Sequence, residues 1–453
     1  MRSHDSTVQI PTPRRILTFW LPLLATWQMM SVEGPFLAAV IARMAEAKYN
    51  LAAYGVAFSL ALIIESPIIM MMTASTALVK GKLSYVRLRN FTAVLNIGIT
   101  VLMVVLVLPP VFRVVTEDLM KLPTEVARIT HTATALLLPW PAAIGFRRFY
   151  QGLLIRSNLT RRVAWGTMIR LVAMSATALL LALSTSLPGA VVATAALSVG
   201  VVFEAVASRF MVHGTIRMLR DSDEDTSDVP EYPGIVRFYY PLALTSILAL
   251  GVHPMVAFFL GQSRMPLESL AVMPVINSLV FIFRSFGLSY QEVAVSQLGS
   301  KLRHYLPVRN FALGLSLAAA AGLALVAFTP VAHLWFRQLS GLNEDLALFA
   351  LLPTQLLVIM PATSVLLSFQ RAILVVSKRT GTMTTATIVE VVLILIVLYT
   401  AIVHFDAIGA IAASIALLTG RMGANLFLLG PVNRARIAAA AQNEQTARTP
   451  EAA

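Results

Sequence analysis

The sequence predicts an all-α membrane protein of about twelve transmembrane helices, arranged as two parallel six-helix bundles related by a pseudo-two-fold axis along the membrane normal. Three observations carry this expectation. Of the 453 residues, 57% are hydrophobic and only 13% charged, and the mean hydropathy of +0.77 lies outside the range of ordinary water-soluble domains. The apolar residues also fall in long blocks, and about 20 consecutive apolar residues cross ~30 Å of hydrocarbon as a helix. Finally, the second half of the chain repeats the first.

The blocks lie near residues 16–42, 51–79, 90–112, 130–155, 163–184 and 188–213, then near 235–260, 267–297, 309–336, 346–374, 382–403 and 407–430. This spacing divides the chain into an N-terminal bundle over 1–213, a polar cytoplasmic linker over 214–234, a C-terminal bundle over 235–430 and a disordered cytoplasmic tail over 431–453. The linker holds the acidic stretch DSDEDTSDVPE at 221–231, which reads as a solvated connector. Arg2, Arg14 and Arg15 precede the first block, but that block is too long for a secretory signal core and its pattern recurs down the chain.

Orientation follows from the loops. Arg14, Arg15, Lys80, Lys82, Arg161, Arg162, Arg217, Arg220, Lys301, Arg303, Arg434 and Arg436 share one face, while the other receives little beyond Arg43, Lys48, Arg113, Lys121, Arg128, Arg264 and Arg337. Positive residues are retained on the cytoplasmic side, so both termini are expected there, with an even number of crossings of the plasma (bacterial inner) membrane. The net charge of +13 is spread over these loops, which argues for topology and against a nucleic-acid partner.

With no cysteine in the chain, disulfides and thiolate metal sites are excluded. The sequence carries no phosphate-binding loop, no HExxH, no G-x-S-x-G and no dinucleotide fingerprint. An enzyme is therefore not expected, nor an ATP-driven pump, a resident metal or a cofactor beyond a possible coupling proton or sodium ion.

The halves overlay at an offset near 220. Phe19-Trp20-Leu21-Pro22-Leu23 matches Phe238-Tyr239-Tyr240-Pro241-Leu242, Pro35 matches Pro254, and YVRLRNF from Tyr85 matches YLPVRNF from Tyr305. Gln151 is set against Gln370, Ser157 against Ser377, and Pro188-Gly189-Ala190 against Ile408-Gly409-Ala410. Because each half holds an even number of helices, the repeats share one orientation, and a small-molecule path is expected between them. Two equivalent halves suit alternating access by a transporter better than they suit a receptor or scaffold. A monomer in the lipid bilayer is expected.

Ten ionisable residues inside the apolar blocks are read as lying beyond the easy reach of snorkelling or close to its limit: Glu33, Glu65, Arg147, Arg148, Arg170, Glu204, Arg284, Glu292, Glu390 and Arg421. An ionised group cannot stay exposed to lipid, so each must pair, face water or neutralise. Glu33 and Glu65 stand beside helix-breaking prolines (Glu33-Gly34-Pro35 and Glu65-Ser66-Pro67), where freed carbonyls can line a cavity. They read either as carriers of a coupling proton or sodium ion or as members of structural ion pairs with arginine. Arginine keeps its charge and matches carboxylate and phosphate, so Arg284 and Arg421, deepest in their blocks, are the substrate-binding candidates together with Glu33, Glu65 and His253. The last precedes Pro254 and suits a proton relay or a plain hydrogen bond; its position also suggests that helix 7 is interrupted where helix 1 is. Arg147, Arg148 and Arg170 are secondary candidates that more readily snorkel to the cytoplasmic interface. Glu204 and Glu390, also secondary, are expected to pair with arginine, and Glu292 to sit at the interface.

This pattern resembles the multidrug and toxic compound extrusion (MATE) fold of the multidrug/oligosaccharidyl-lipid/polysaccharide exporter (MOP) superfamily. The resemblance rests on the helix count, the six-plus-six duplication, the proline in helix 1 and the stretches from Gln151 to Ser157 and from Gln370 to Ser377. Within it, Leu51-Ala52-Ala53-Tyr54-Gly55-Val56-Ala57-Phe58-Ser59-Leu60 and the Glu33-bearing helix resemble the progressive ankylosis protein branch. That resemblance implies a secondary exporter of small anions such as citrate, pyrophosphate or nucleotide phosphates. A proton- or sodium-coupled multidrug antiporter and a lipid-linked sugar flippase are the alternatives the superfamily offers.

Overall fold

The structure, a computed structural model, describes residues 12–157, 159–221, 229, 231–377, 379 and 381–448. The acidic stretch 221–231 lies almost wholly outside the described residues, as do Arg2 and the last five residues of the tail.

Twelve helical crossings are present among the described residues. In the first half, α1 is Pro13–Ser31 resumed as Glu33–Ala42, and α2 is Ala47–Glu65 resumed as Met71–Leu78. Next come α3 (Lys82–Val107), α4 (Thr124–Leu136 resumed as Trp140–Arg156), α5 (Thr160–Ser184) and α6 (Gly189–Met211). The second half holds α7 (Tyr232–Gly261), α8 (Pro266–Gln297), α9 (Tyr305–Phe328) and α10 (Glu344–Leu356 resumed as Met360–Val376). It closes with α11 (Gly381–Tyr399) and α12 (Gly409–Arg448). Ten of these runs are long and apolar enough to cross a membrane, and the interrupted α1 and α4 complete the twelve. Among the described residues the only extended pairing is an isolated bridge between Arg264 and Ile408. The chain is a multi-pass integral membrane protein. Below, the face from which α1 and α12 emerge is the terminal face and its opposite the far face.

The duplication is visible in backbone irregularities that no hydropathy profile contains. π-helical turns at Val114–Leu119 and Leu334–Leu339 lie 220 residues apart. Left-handed residues recur at Glu46 and Met265, and at Lys121 and Gly341. The first amides of α6 and α12 are capped from a neighbouring helix in the same way, Ala190 N donating to Asn50 Oδ1 and Ala410 N to Ser269 Oγ, each at 3.0 Å. In each case a donor orphaned at a helix start is satisfied by a short polar side chain in the first turn of α2 or α8.

The halves meet along α1, α2, α7 and α8. α2 and α8 cross where Gly55 lies against Pro274, so closely that a Cβ at position 55 would sit 2.7 Å from the proline Cγ. Toward the terminal face each half lays its first helix on the other: Trp20 Nε1 donates to Ser289 Oγ at 2.8 Å, and Tyr239 Oη to the Pro67 carbonyl at 2.6 Å. At the far face Lys48 pairs with Glu268 at 2.6 Å, and Arg43 donates to the Gln338 carbonyl.

Several expectations need correction. The second block is not one helix, because Ser66-Pro67 opens a turn before Met71; Pro67 has no N–H to continue the ladder. Helix 7 is not interrupted at Pro254 although helix 1 breaks at Val32. Helix 1 has the poor helix former Gly34 before its proline where helix 7 has His253. The connector 214–234 begins as a helix over His213–Asp221. The stretch after Val432, expected to be disordered, continues α12 as far as Arg448. Its alanines are strong helix formers, and Val432, Ala435 and Ala439 pack in one row on a cluster that includes Tyr290 and Leu302.

Candidate functional site

Charged side chains gather inside each half, and the two gatherings differ. In the first half Glu204 of α6 is fully buried, with Arg147 Nη1 at 2.6 Å and Arg170 Nε at 3.4 Å from its Oε2. Gln151 Nε2 donates to the other oxygen at 3.0 Å. Arg170 reaches onward to Glu33 at the start of the second segment of α1. A chain Arg147–Glu204–Arg170–Glu33 thus ties α4, α6, α5 and α1 together. Glu65 and Arg148 complete the group: Glu65 is buried, has no ion-pair partner within reach among the described residues, and leaves Oε2 without a hydrogen bond. Arg148 turns Nη1 toward Met72 Sδ at 3.8 Å. The group holds three carboxylates and three guanidiniums.

In the second half Arg421 of α12 pairs with Glu390 of α11 at 2.7 Å and donates to Ser364 Oγ of α10 at 3.0 Å. Arg371 of α10 donates to Thr387 Oγ1 at 3.3 Å but leaves its Nε buried and unpartnered. Arg284 of α8 has no ion-pair partner among the described residues, and its Nε is likewise buried and unpartnered. Arg421 and Glu390 lie within electrostatic reach of both. His253 is exposed about two-thirds of the way along α7, within electrostatic reach of Arg284. Three guanidiniums here face one carboxylate, a surplus of two positive charges that an anion would neutralise. Glu292 is exposed near the terminal-face end of α8, as expected.

Equivalent positions carry inverted charge. Ser66 Oγ bonds the Ile63 carbonyl and Ser285 Oγ the Ile282 carbonyl, which places Glu65 opposite Arg284. Gly200 lies against the Arg170 carbonyl and Gly420 against the Glu390 carbonyl, which places Arg170 opposite Glu390. The same helix pair therefore holds an ion pair in each half with the charges exchanged between helices.

No family model matches the chain, and no curated protein matches it. Solved structures do. An inward-facing multidrug-resistance MATE transporter of the MOP superfamily is 14% identical, with a TM-score of 0.63 over 96% of this chain and 99% of its own. The lipid II flippase MurJ in an inward closed conformation is 13% identical, with a TM-score of 0.68 over 91% of this chain and 87% of its own. The fold is MATE-like. A third structure, a MOP superfamily transporter from Pyrococcus furiosus described by the reverse polarity of its binding pocket, is 14% identical, with a TM-score of 0.58 over 95% of this chain and 97% of its own.

Within this MATE-like scaffold the sequence candidates separate. Glu33 and Glu204 are held by arginines of the first half, and Glu390 and Arg421 by each other. Arg147 and Arg170, for which snorkelling to the interface was the readier expectation, instead turn inward and are buried, because Glu204 and Glu33 offer partners inside the bundle. Arg284 and His253 come together, while Glu65 joins the opposite half. Arg371 escaped the sequence reading because Gln151 was set against Gln370. The helices Trp140–Arg156 and Met360–Val376 are both 17 residues long and end at Ser157 and Ser377, which sets Gln151 against Arg371 instead. The signal lay in Pro141 and Pro361, which also stand 220 apart.

Proposed function

We propose that the chain is a secondary exporter working by alternating access, which carries small organic or phosphate-bearing anions of the citrate, pyrophosphate and nucleotide class. The anion is held in the second half by Arg284, Arg371 and Arg421, with His253 beside it. The observation that carries this reading is the surplus of two positive charges among α8, α10, α11 and α12, against an even balance in the first half. Buried cations without partners are costly, and an anionic ligand that accepts from them removes that cost. The halves 1–213 and 235–430 rock about the α2–α8 crossing, with both termini cytoplasmic and the protein monomeric in the plasma membrane.

Coupling rests on Glu65. Glu33 is engaged by Arg170, whereas Glu65 is the buried carboxylate without an ion pair, so it is the group free to exchange a proton or sodium ion. The proton-coupled multidrug antiporter remains the second reading on this observation alone.

Uptake of radiolabelled citrate and pyrophosphate into proteoliposomes tests the assignment. Arg284→Gln and Arg371→Gln should each lower flux at least about tenfold, the equivalent of ~1.4 kcal/mol of lost anion binding. Undiminished flux in both variants, or efflux of cationic dyes in place of anions, would refute it. Glu65→Gln should remove the dependence of flux on an imposed proton or sodium gradient.

A further inference from the structure

Comparison of the halves draws attention to a cavity in the second one. In the first half the space between the end of α3 and the start of α4 is filled by two rings: Phe112 packs on His131 with centroids 4.7 Å apart, and His131 Nε2 bonds the Val107 carbonyl at 2.7 Å. At the positions 220 residues later stand Ala332 and Leu351. Neither carries a ring at these two positions, although Phe336 brings one where the first half has Thr116, and a cavity of about 420 Å³ lies between α9 and α10, lined by Phe328, Ala332, Phe336, Leu348 and Leu351 among others. The Ala327 carbonyl, which has lost its histidine, is bonded at 3.1 Å by Gln355 at the deep end.

The surroundings define an occupant. The cavity walls continue onto Leu325, Phe328, Leu348 and Leu352, all exposed on crossings that face hydrocarbon. At the far-face mouth are His333, which is exposed, and Arg337, paired with Glu344 at 3.1 Å. A guanidinium has five N–H donors, so Arg337 keeps donors beyond the one given to Glu344. From Glu344 to Gln355 the groove descends eleven residues of helix, ~16 Å at 1.5 Å per residue, into the depth of one leaflet. Its volume falls within the range of small-molecule sites.

We propose that this groove is a binding site for one phospholipid of the far leaflet, its acyl chain between α9 and α10 and its phosphate on Arg337 and His333. The site is separate from the charged groups at mid-membrane and does not depend on what the protein transports.

Native mass spectrometry of the full chain, extracted from bilayers of phosphatidylglycerol and phosphatidylcholine, reads the bound species directly. The wild type should retain one phospholipid per chain. The double variant Ala332→Phe/Leu351→His copies the ring pair of the first half and should retain about tenfold less. Arg337→Gln removes a charged donor worth more than ~1.4 kcal/mol and should weaken retention by a similar factor. If the double variant fails to fold, Ala332→Phe alone narrows the groove and should lower retention in the same direction. Equal retention in the wild type and the filled variant, or a wild type that carries only detergent, would overturn the proposal.

Discussion

Replacing Glu204 by alanine should destabilise the protein by about 3–5 kcal/mol, the range for removing one partner of a buried ion pair. The structure places this substitution at the upper end. Glu204 has no exposed surface and takes Arg147 at 2.6 Å, Arg170 at 3.4 Å and Gln151 at 3.0 Å. Its loss leaves Arg147 without its carboxylate, while Arg170 keeps Glu33. Glu390→Ala removes one partner from Arg421, which retains Ser364 and is partly exposed, so its effect should be smaller. Denaturant unfolding in detergent, followed by tryptophan fluorescence, gives the ranking. The double variant Arg147→Leu/Glu204→Leu should recover more than half of the loss, because apolar replacement of both partners removes the uncompensated charge. A Glu204→Ala protein within about 1 kcal/mol of wild type, or one less affected than Glu390→Ala, would refute the buried network.

Other perturbations follow from the repeat. Asn50→Ala and Ser269→Ala each remove the acceptor for a helix N-terminal amide and should cost a similar ~1 kcal/mol in thermal unfolding; unequal losses would contradict the symmetry. Gly420→Val forces a side chain against the Glu390 carbonyl, 2.8 Å from where Cβ would stand, and should destabilise by about 1–3 kcal/mol through overpacking, measured in the same unfolding assay. Lys48→Glu places like charges across the far-face contact between halves. It should raise the rate at which a single cysteine introduced at half-buried Ala47, beside the pair, is alkylated from that side, and Lys48→Glu/Glu268→Lys in the same cysteine background should restore the rate seen with the native pair.

Much of the architecture was legible because hydrophobic thickness and sequence repetition leave one-dimensional marks. The duplication showed in Pro22 and Pro241 and in the YVRLRNF and YLPVRNF strings, and every backbone irregularity at 114, 121, 334 and 341 agrees with it. Details at helix interruptions were less legible. Pro35 and Pro254 look alike in sequence, yet only the helix with an adjacent glycine breaks. One-residue errors mattered most: setting Gln151 against Gln370 rotated the comparison by about 100° of helix and hid Arg371.

The amino-acid sequence alone determined insertion into a bilayer, the even number of crossings and the depth at which each charge lies, since depth is a count of residues along a helix at ~1.5 Å each. Which charges neutralise one another was decided only by tertiary structure. Arg147 finds Glu204 57 residues away and Arg170 finds Glu33 137 residues away, while Arg284 pairs with no carboxylate among the described residues and leaves its Nε unpartnered. Pairing depends on how neighbouring helices are rotated and how closely they approach, and those are properties of the packed bundle that no single helix encodes.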